Sequence, residues 1–421
     1  MKILSITYTL NIGSEGYSVY NLLNELAKVT GREMLIITNS VATGTDISNF
    51  QFIKELKLNT SRLYWQAWFK ISAFLLSTIY VTRYHIELIQ QVHSNPFLPF
   101  FSPFRRVPFV WLLALKDNPS FVTNDMKFDD DSLLVFGELP NKLRKKVIPK
   151  RYLSRISTFF KRKIIAPLLD YSRKTIEFFT IRNISLIVSG TPYTFEFYKE
   201  LVSESRVVQL SEVIDLSKFK YSRPPFNNSL LVSAALFSHE GVDIAIRAMK
   251  EISTAIPEAI LDVLGDGPQM NNLKKLTEEL GLTNNVRFHG YVKREEVPLF
   301  LEQSRVVLLP AYIKGSGMAI KEAMAVGRPV VATRAEGHLY SIEDGYNGFI
   351  VDFGDYKAMA KASIKLLFDY DLCLQMSINA HSKATKMYNA SSSAQKLAGL
   401  YSNILNKSLL QTEHLNYFLR S

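Results

Sequence analysis

The chain has 421 residues, 47% apolar and 21% charged, a globular composition that excludes a disordered chain and implies about two to three domains. Its one cysteine, Cys373, excludes an intrachain disulfide framework and a cysteine-based zinc site. The net charge is +11, and residues 142–182 alone hold 13 Lys/Arg against Asp170 and Glu177, so one segment carries the whole excess.

In chain order, residues 2–7 read as a short apolar strand, followed by a glycine-containing turn, Asn11-Ile-Gly-Ser-Glu-Gly16. Val19, Leu22, Leu23 and Leu26 then recur at helical spacing, and residues 34–38 form a second strand, which together make a βαβ unit. Further strands are expected at 86–92, 108–113, 133–136, 186–189 and 207–210. Residues 218–228, with Pro224, Pro225, Asn227 and Asn228, read as an interdomain linker. Strands at 230–234, 259–264, 286–289, 306–309, 329–333 and 349–351 then alternate with helices at 242–252, 270–280, 297–303 and 318–326. Helices dominate from Tyr356 onward. The expected fold class is therefore α/β, with two doubly wound parallel-sheet domains facing a cleft.

Two segments suggest surfaces. In residues 142–182, Phe159, Phe160, Ile164 and Ile165 adjoin Lys161, Arg162 and Lys163. Such a stretch is either a solvated helix face over an apolar core or a contact with an anionic membrane surface. Nucleic acid is not expected as a partner, because no binding motif accompanies the charge. Residues 64–76 are aromatic and apolar with one Lys, either a core helix or a lipid contact. The N-terminus has no basic region before a long apolar core, so no secretory signal is expected. Residues 71–81, the longest apolar run, are too short for a span of ~20 residues. A cytoplasmic location follows, with peripheral attachment to the inner face of the membrane as the open alternative.

The densest chemistry lies in residues 314–331, KGSGMAIKEAMAVGRPVV. Gly315, Ser316 and Gly317 follow a strand and open a helix. Main-chain N–H groups there, unobstructed by bulky side chains, suit an anion. Glu322 lies about a turn and a half into the helix, where a carboxylate can accept two hydrogen bonds from a vicinal diol such as ribose. The other reading is an ordinary βαβ turn whose glycines serve packing.

At these residues the chain resembles retaining glycosyltransferases of the GT-B fold, family four, the glycosyl transferases group 1. Their pattern is a proline, a few residues, E-G-x-G, four residues, then E-A-M-A-x-G-x-P-V-V-A. Here it stands as Pro310-Ala-Tyr-Ile-Lys314-Gly-Ser-Gly-Met-Ala-Ile-Lys-Glu322-Ala-Met-Ala-Val-Gly327-Arg-Pro-Val-Val-Ala332. Gly241-Val-Asp243, Gly265-Asp-Gly-Pro268, Val286-Arg-Phe-His-Gly290 and Gly345-Tyr-Asn-Gly-Phe-Ile-Val351 also match, with Gly13-Ser-Glu15 at the first-domain glycine loop. The resemblance implies residues 1–215 as an acceptor-side domain and 216–385 as a nucleotide-sugar domain, with 386–421 returning toward the first. It implies that Glu322 binds ribose hydroxyls and that Gly315, Ser316, Gly317, Met318 and Ala319 hold sugar and diphosphate. Gly13 and Ser14 would face the diphosphate across the cleft. The implied reaction moves a sugar from a nucleotide-sugar donor to a glycan or lipid-linked acceptor with retention, without metal or other cofactor. A catalytically silent GT-B scaffold partnering an active subunit is the alternative.

Three departures bear on that reading. Lys314 stands where the family has its first motif glutamate. Ala235 and Glu240 stand where an arginine and a lysine usually hold the diphosphate. Lys314 is therefore a candidate replacement cation, with Lys293 and Arg294 as other sources of positive charge. His93, after a predicted strand, is a candidate for orienting the acceptor hydroxyl or acting on its proton. His289 and His338 read as structural, and no histidine spacing suggests a metal site. Asp129-Asp-Asp131 precedes a strand and reads as a solvated turn. Gly265-Asp-Gly267 lacks the third glycine of a dinucleotide loop.

Overall fold

The computed structural model describes residues 2–6, 9–10, 13–30, 34–38, 40–43, 45–57, 86–92, 109–113, 184–190, 192–311 and 317–418, and singly 76, 80, 83 and 107. The predicted strand at 133–136, the basic segment 142–182, Asp129-Asp-Asp131 and nearly all of the aromatic segment 64–76 lie outside the described residues.

The first half builds a seven-stranded, wholly parallel sheet in the order β5-β3-β1-β6-β7-β8-β9. Its strands are β1 (Ile3–Ile6), β3 (Met34–Thr38), β5 (Phe52–Glu55), β6 (Leu88–Val92), β7 (Phe109–Leu113), β8 (Leu186–Ser189) and β9 (Val207–Gln209). Two-residue strands β2 (Thr9–Leu10) and β4 (Ser40–Val41) pair beside it. Both faces of the sheet are covered, so β1 and β3 are buried at every position and are apolar apart from the buried Ser5 and Thr38. Ile3, Met34, Ile36 and Leu88 face helix α1 (Gly13–Thr30), while Leu4, Ile6, Leu35 and Ile89 face the core beside α2 (Pro192–Leu201).

The second half builds a six-stranded parallel sheet in the order β12-β11-β10-β13-β14-β15. Its strands are β10 (Ser229–Ser233), β11 (Ile260–Leu264), β12 (Val286–Gly290), β13 (Val306–Leu309), β14 (Val330–Thr333) and β15 (Gly348–Val351). Between them run α3 (Val242–Ala255), α4 (Met270–Glu279), α5 (Val297–Gln303), α6 (Met318–Val326) and α7 (Glu336–Ser341). After them come α8 (Tyr356–Phe368), α9 (Tyr370–Met387) and α10 (Ala390–Phe418). Successive strand side chains serve opposite faces. Leu230 and Val232 pack toward α3, α4 and α8, whereas Leu231 and Val307 pack toward α6 and α9. Asp355 and Asp369 cap α8 and α9, accepting from the Ala358 and Leu372 amides at 2.9 Å each.

From β10 the chain winds to β11 and β12 on one side and then to β13, β14 and β15 on the other. The strand order reverses between β10 and β13, and in the first sheet between β1 and β6. A crevice forms at the carboxyl ends of strands at such points. The segment after β13 leads to α6, and the one after β1 to α1, so both motif-bearing turns lie at switch points.

Two strands of chain cross between the halves side by side. The Ile214 amide donates to the Tyr388 carbonyl at 2.9 Å, and the Ala390 amide to the Ile214 carbonyl at 3.3 Å. Ala394, Leu397 and Tyr401 of α10 pack in one core with Tyr20, Leu23 and Leu26 of α1. The last helix thus rests on the first half of the chain.

Candidate functional site

Gly317 caps the start of α6 in extended conformation, and the first-turn amides that follow have no intrahelical acceptor. The Met318 side chain is buried in the core shared with Leu309 and Met324, so only its main chain can meet a ligand. Ala319 is half-buried. Gly13 and Ser14 form the first turn of α1, a correction to the six-residue turn read from the sequence; their amides open that helix in turn. Of the other sequence-derived candidates, His93, Lys314, Gly315 and Ser316 lie outside the described residues.

Glu322 is 6% exposed. Its Oε1 accepts a hydrogen bond from Nη2 of Arg294, which sits in the turn between β12 and α5. Arg294 is a third exposed and stacks on Tyr17 of α1, its guanidinium carbon 3.6 Å from the ring centroid. Lys218 reaches the same ring at 6.0 Å. Tyr17 therefore leaves its own half and packs in the core of the other, beside Phe219 and Met318. The next residue of α1, Ser18, accepts from the Val213 amide at 2.9 Å. Glu322 thus lies in a polar seam between the halves, not in a dry apolar core.

The electrostatics follow from that seam. Burial pushes the Glu322 carboxyl pKa up, and Arg294 opposes the shift by charge and hydrogen bond. Burial likewise raises Tyr17, with the Asn21 side chain and Arg294 pulling it down. Beside Glu322, Lys321 is fully buried and donates to Glu212 Oε2 at 2.5 Å; burial lowers its pKa and Glu212 opposes. That pair ties α6 to the crossing strand. Among the described residues, the group that hydrogen-bonds the Glu322 carboxylate is the part-exposed Arg294 guanidinium, whose place a diol can take.

The neighbouring glycines have packing reasons. A Cβ on Gly241 would stand 2.2 Å from the Pro310 carbonyl oxygen, and its φ is +65°. One on Gly265 would stand 1.8 Å from the Ala234 carbonyl oxygen. The Gly265-Asp-Gly267 loop is thus pressed onto the exit of β10. Ala235 is exposed in that exit, and Glu240 is buried with His239 3.7 Å away. His338 is buried against the Thr333 carbonyl at 2.8 Å and His289 contacts Asp262 at 2.7 Å. Among the described residues no cluster of three His, Cys, Asp or Glu could hold a metal.

Sequence reasoning missed Tyr17 and the Lys321–Glu212 pair, and weighed Arg294 only as a source of charge. The signal for Tyr17 was its place four residues after Gly13, on the same helix face.

The architecture has close parallels among solved structures. Sucrose-phosphate synthase of Thermosynechococcus elongatus superposes with a TM-score of 0.68 at 15% identity, covering 97% of this chain and all of that one. The chain has the GT-B fold. Anabaena HepE, solved with UDP and glucose, matches at TM-score 0.62 and 17% identity over 96% of this GT-B chain and 100% of that one. Residues 213–383 match the family model of glycosyl transferases group 1. Among curated proteins, the lipopolysaccharide core biosynthesis glycosyltransferase LpsE of Rhizobium meliloti is 30% identical over 223 residues, 52% of this chain and 63% of that one. The alpha-D-kanosaminyltransferase of Streptomyces kanamyceticus is 30% identical over 207 residues, 49% of this chain and 52% of that one. The chain thus matches from about half to under two thirds of these relatives' length. No helix among the described residues is long and apolar enough to cross a membrane.

Proposed function

We propose that this GT-B chain is a retaining glycosyltransferase, which moves a sugar from a nucleotide-sugar donor to a glycan or lipid-linked acceptor. The observation that carries the reading is Glu322, a near-fully buried carboxylate at the switch-point crevice whose one charged hydrogen-bond partner among the described residues is Arg294. Relatives that are glycosyltransferases, and a UDP-bound neighbour of the same fold, support it.

In this reading residues 1–215 serve the acceptor, 216–385 hold the donor, and 386–421 brace the first half. Glu322 accepts the ribose hydroxyls and releases Arg294. The amides opening α6 and α1 face the diphosphate. Arg294, with Lys218 behind it, supplies the positive charge for which Ala235 and Glu240 make no provision; Lys314 is a further source. The bond from the anomeric carbon to the phosphate oxygen breaks as the acceptor oxygen attacks from the same side. The acceptor proton passes to the departing diphosphate, so the protein needs only to position and neutralise, without a metal. His93 would orient the acceptor. The basic segment 142–182 would dock on anionic lipid at the inner face of the membrane.

A thermal-shift screen of nucleotide-sugars tests the reading. A true donor present at about 100 times its dissociation constant stabilises by ~2.7 kcal/mol, and transfer or slow hydrolysis of that donor by the purified chain must follow. Binding without turnover of any donor would favour the silent scaffold. No response to any nucleotide would end the proposal.

A further inference from the structure

At the opposite edge of the second sheet, where its strands begin, lies a cluster of buried polar groups that the proposed reaction does not use. Arg305 directly precedes β13, and Arg328 stands two residues before β14. Arg328 is 0% exposed and Arg305 5%. Nη2 of Arg328 donates to the Ser222 carbonyl at 2.9 Å and to the Ser222 hydroxyl. Its Nε and Nη1, and Nε of Arg305, are shielded from solvent and have no acceptor among the described residues. The Arg305 guanidinium lies 5.1 Å from the Tyr370 ring centroid. The Ser377 hydroxyl is likewise buried without a partner. It abuts the neighbour of Arg328, since a Cβ on Gly327 would stand 2.9 Å from it. One turn earlier on α9, the Cys373 thiol touches the Arg305 carbonyl at 4.0 Å and feels both guanidiniums.

Neither arginine makes an ion pair with a described carboxylate. The acids in electrostatic reach of the cluster are Glu302 and Asp369, both exposed, and Asp369 is occupied in capping α9. Burial draws Arg328 down to about 10, which leaves it charged at neutral pH. Buried charges in proteins are paired, because desolvation otherwise favours the neutral form. Neutral water could accept the orphaned hydrogens but would leave the charge uncompensated.

We propose that Arg328, Arg305 and Ser377 bind a monovalent inorganic anion of chloride size beneath the second sheet, where it fastens the interdomain linker to α9. The linker is already gathered there. Tyr370 donates to the Pro224 carbonyl at 3.0 Å, and Phe226 stacks on Tyr370 with centroids 3.8 Å apart. The Tyr221 ring closes over Gly327. An anion would bridge the two arginines and the serine behind this strap. The site is independent of the sugar-transfer reading.

The test is thermal unfolding of the full chain in sodium chloride against sodium gluconate at matched ionic strength, so that general screening cancels. A specific site gives a saturable rise of about 2–4 °C with chloride, which bromide reproduces. Arg328→Met abolishes the increment. Should that variant not fold, Ser377→Ala keeps both charges, removes one donor, and raises the half-saturating chloride concentration several-fold. Equal melting in the two salts, or an increment untouched by Ser377→Ala and by a folded Arg328→Met, would leave water as the occupant and overturn the proposal.

Discussion

Replacing Arg294 separates two roles the guanidinium could play. It sits on Glu322 and against the Tyr17 ring at 3.6 Å. If it moves to the diphosphate when donor binds, Arg294→Met removes a charge-assisted hydrogen bond of ~1.5–3 kcal/mol. At 1.4 kcal/mol per decade, that lost bond by itself weakens UDP about 10- to 150-fold. A nucleoside without phosphates receives no such bond, yet it must still displace Arg294 from Glu322. That contact combines a part-exposed ion pair, worth ~0–1 kcal/mol, with a cation–π contact of ~0.5–1 kcal/mol. Removing it spares both ligands that loss of ~0.5–2 kcal/mol, so uridine binds about 2- to 25-fold tighter. The ratio of UDP to uridine affinity therefore falls about 10- to 150-fold. Isothermal calorimetry of UDP and of uridine, on wild type and Arg294→Met, reads both. Weakening of the two by the same factor would mean that Arg294 only holds the seam together, and tightening of both by the same factor that it only occupies the ribose seat.

Three further outcomes are expected. Glu322→Gln exchanges a charged acceptor for a neutral one, a difference of ~1–2 kcal/mol; donor KM should rise about 5- to 30-fold, with the melting temperature held because the side-chain volume is kept. Gly241→Ala places a methyl against the Pro310 carbonyl at φ +65°, a strain of ~1–3 kcal/mol; calorimetry should show lower melting, and nucleotide binding should weaken as the segment after β13 shifts. Tyr401 is fully buried, donates to Gln90 Oε1 at 2.5 Å, and is held by burial well above its ordinary pKa. The unfolded tyrosine ionises near pH 10 while the folded one keeps its proton, so this stability is whole below pH 10. It is lost above that at up to ~1.4 kcal/mol per pH unit. In urea unfolding from pH 8 to 11, wild type should decline more steeply than Tyr401→Phe; parallel curves would refute the assignment.

Much of the fold is legible because parallel sheets covered on both faces need continuous apolar strands. Val306–Leu309, Leu186–Ser189 and Met34–Thr38 are such runs, and the helices Met318–Val326 and Val297–Gln303 fall where their periodicity predicts. Strand β5, Phe52–Glu55, went unread because it lies at the sheet edge and mixes apolar with charged residues. Helix α7 was missed because six residues, EGHLYS, are too short to show a period. At the site, the glycines of the 13–16, 265–267 and 315–317 turns were visible. Their causes were not, since a clash between Gly265 and the Ala234 carbonyl exists only once β10 and β11 are paired.

Local pattern therefore determined two runs of alternating strand and helix, the carboxylate of Glu322 on the helix after β13, and the charge reversals at Lys314 and Glu240. Only the tertiary structure decided that Glu322 is nearly sealed, that Arg294 answers it, and that Tyr17 crosses from the other half to cover them. It alone showed Arg305, Arg328 and Ser377 buried in one cluster with no ion pair to a described carboxylate. Strand and helix come from the periodicity of neighbours along the chain. The state of a charge depends on which distant groups exclude water from it, and those meet only when the sheets have closed.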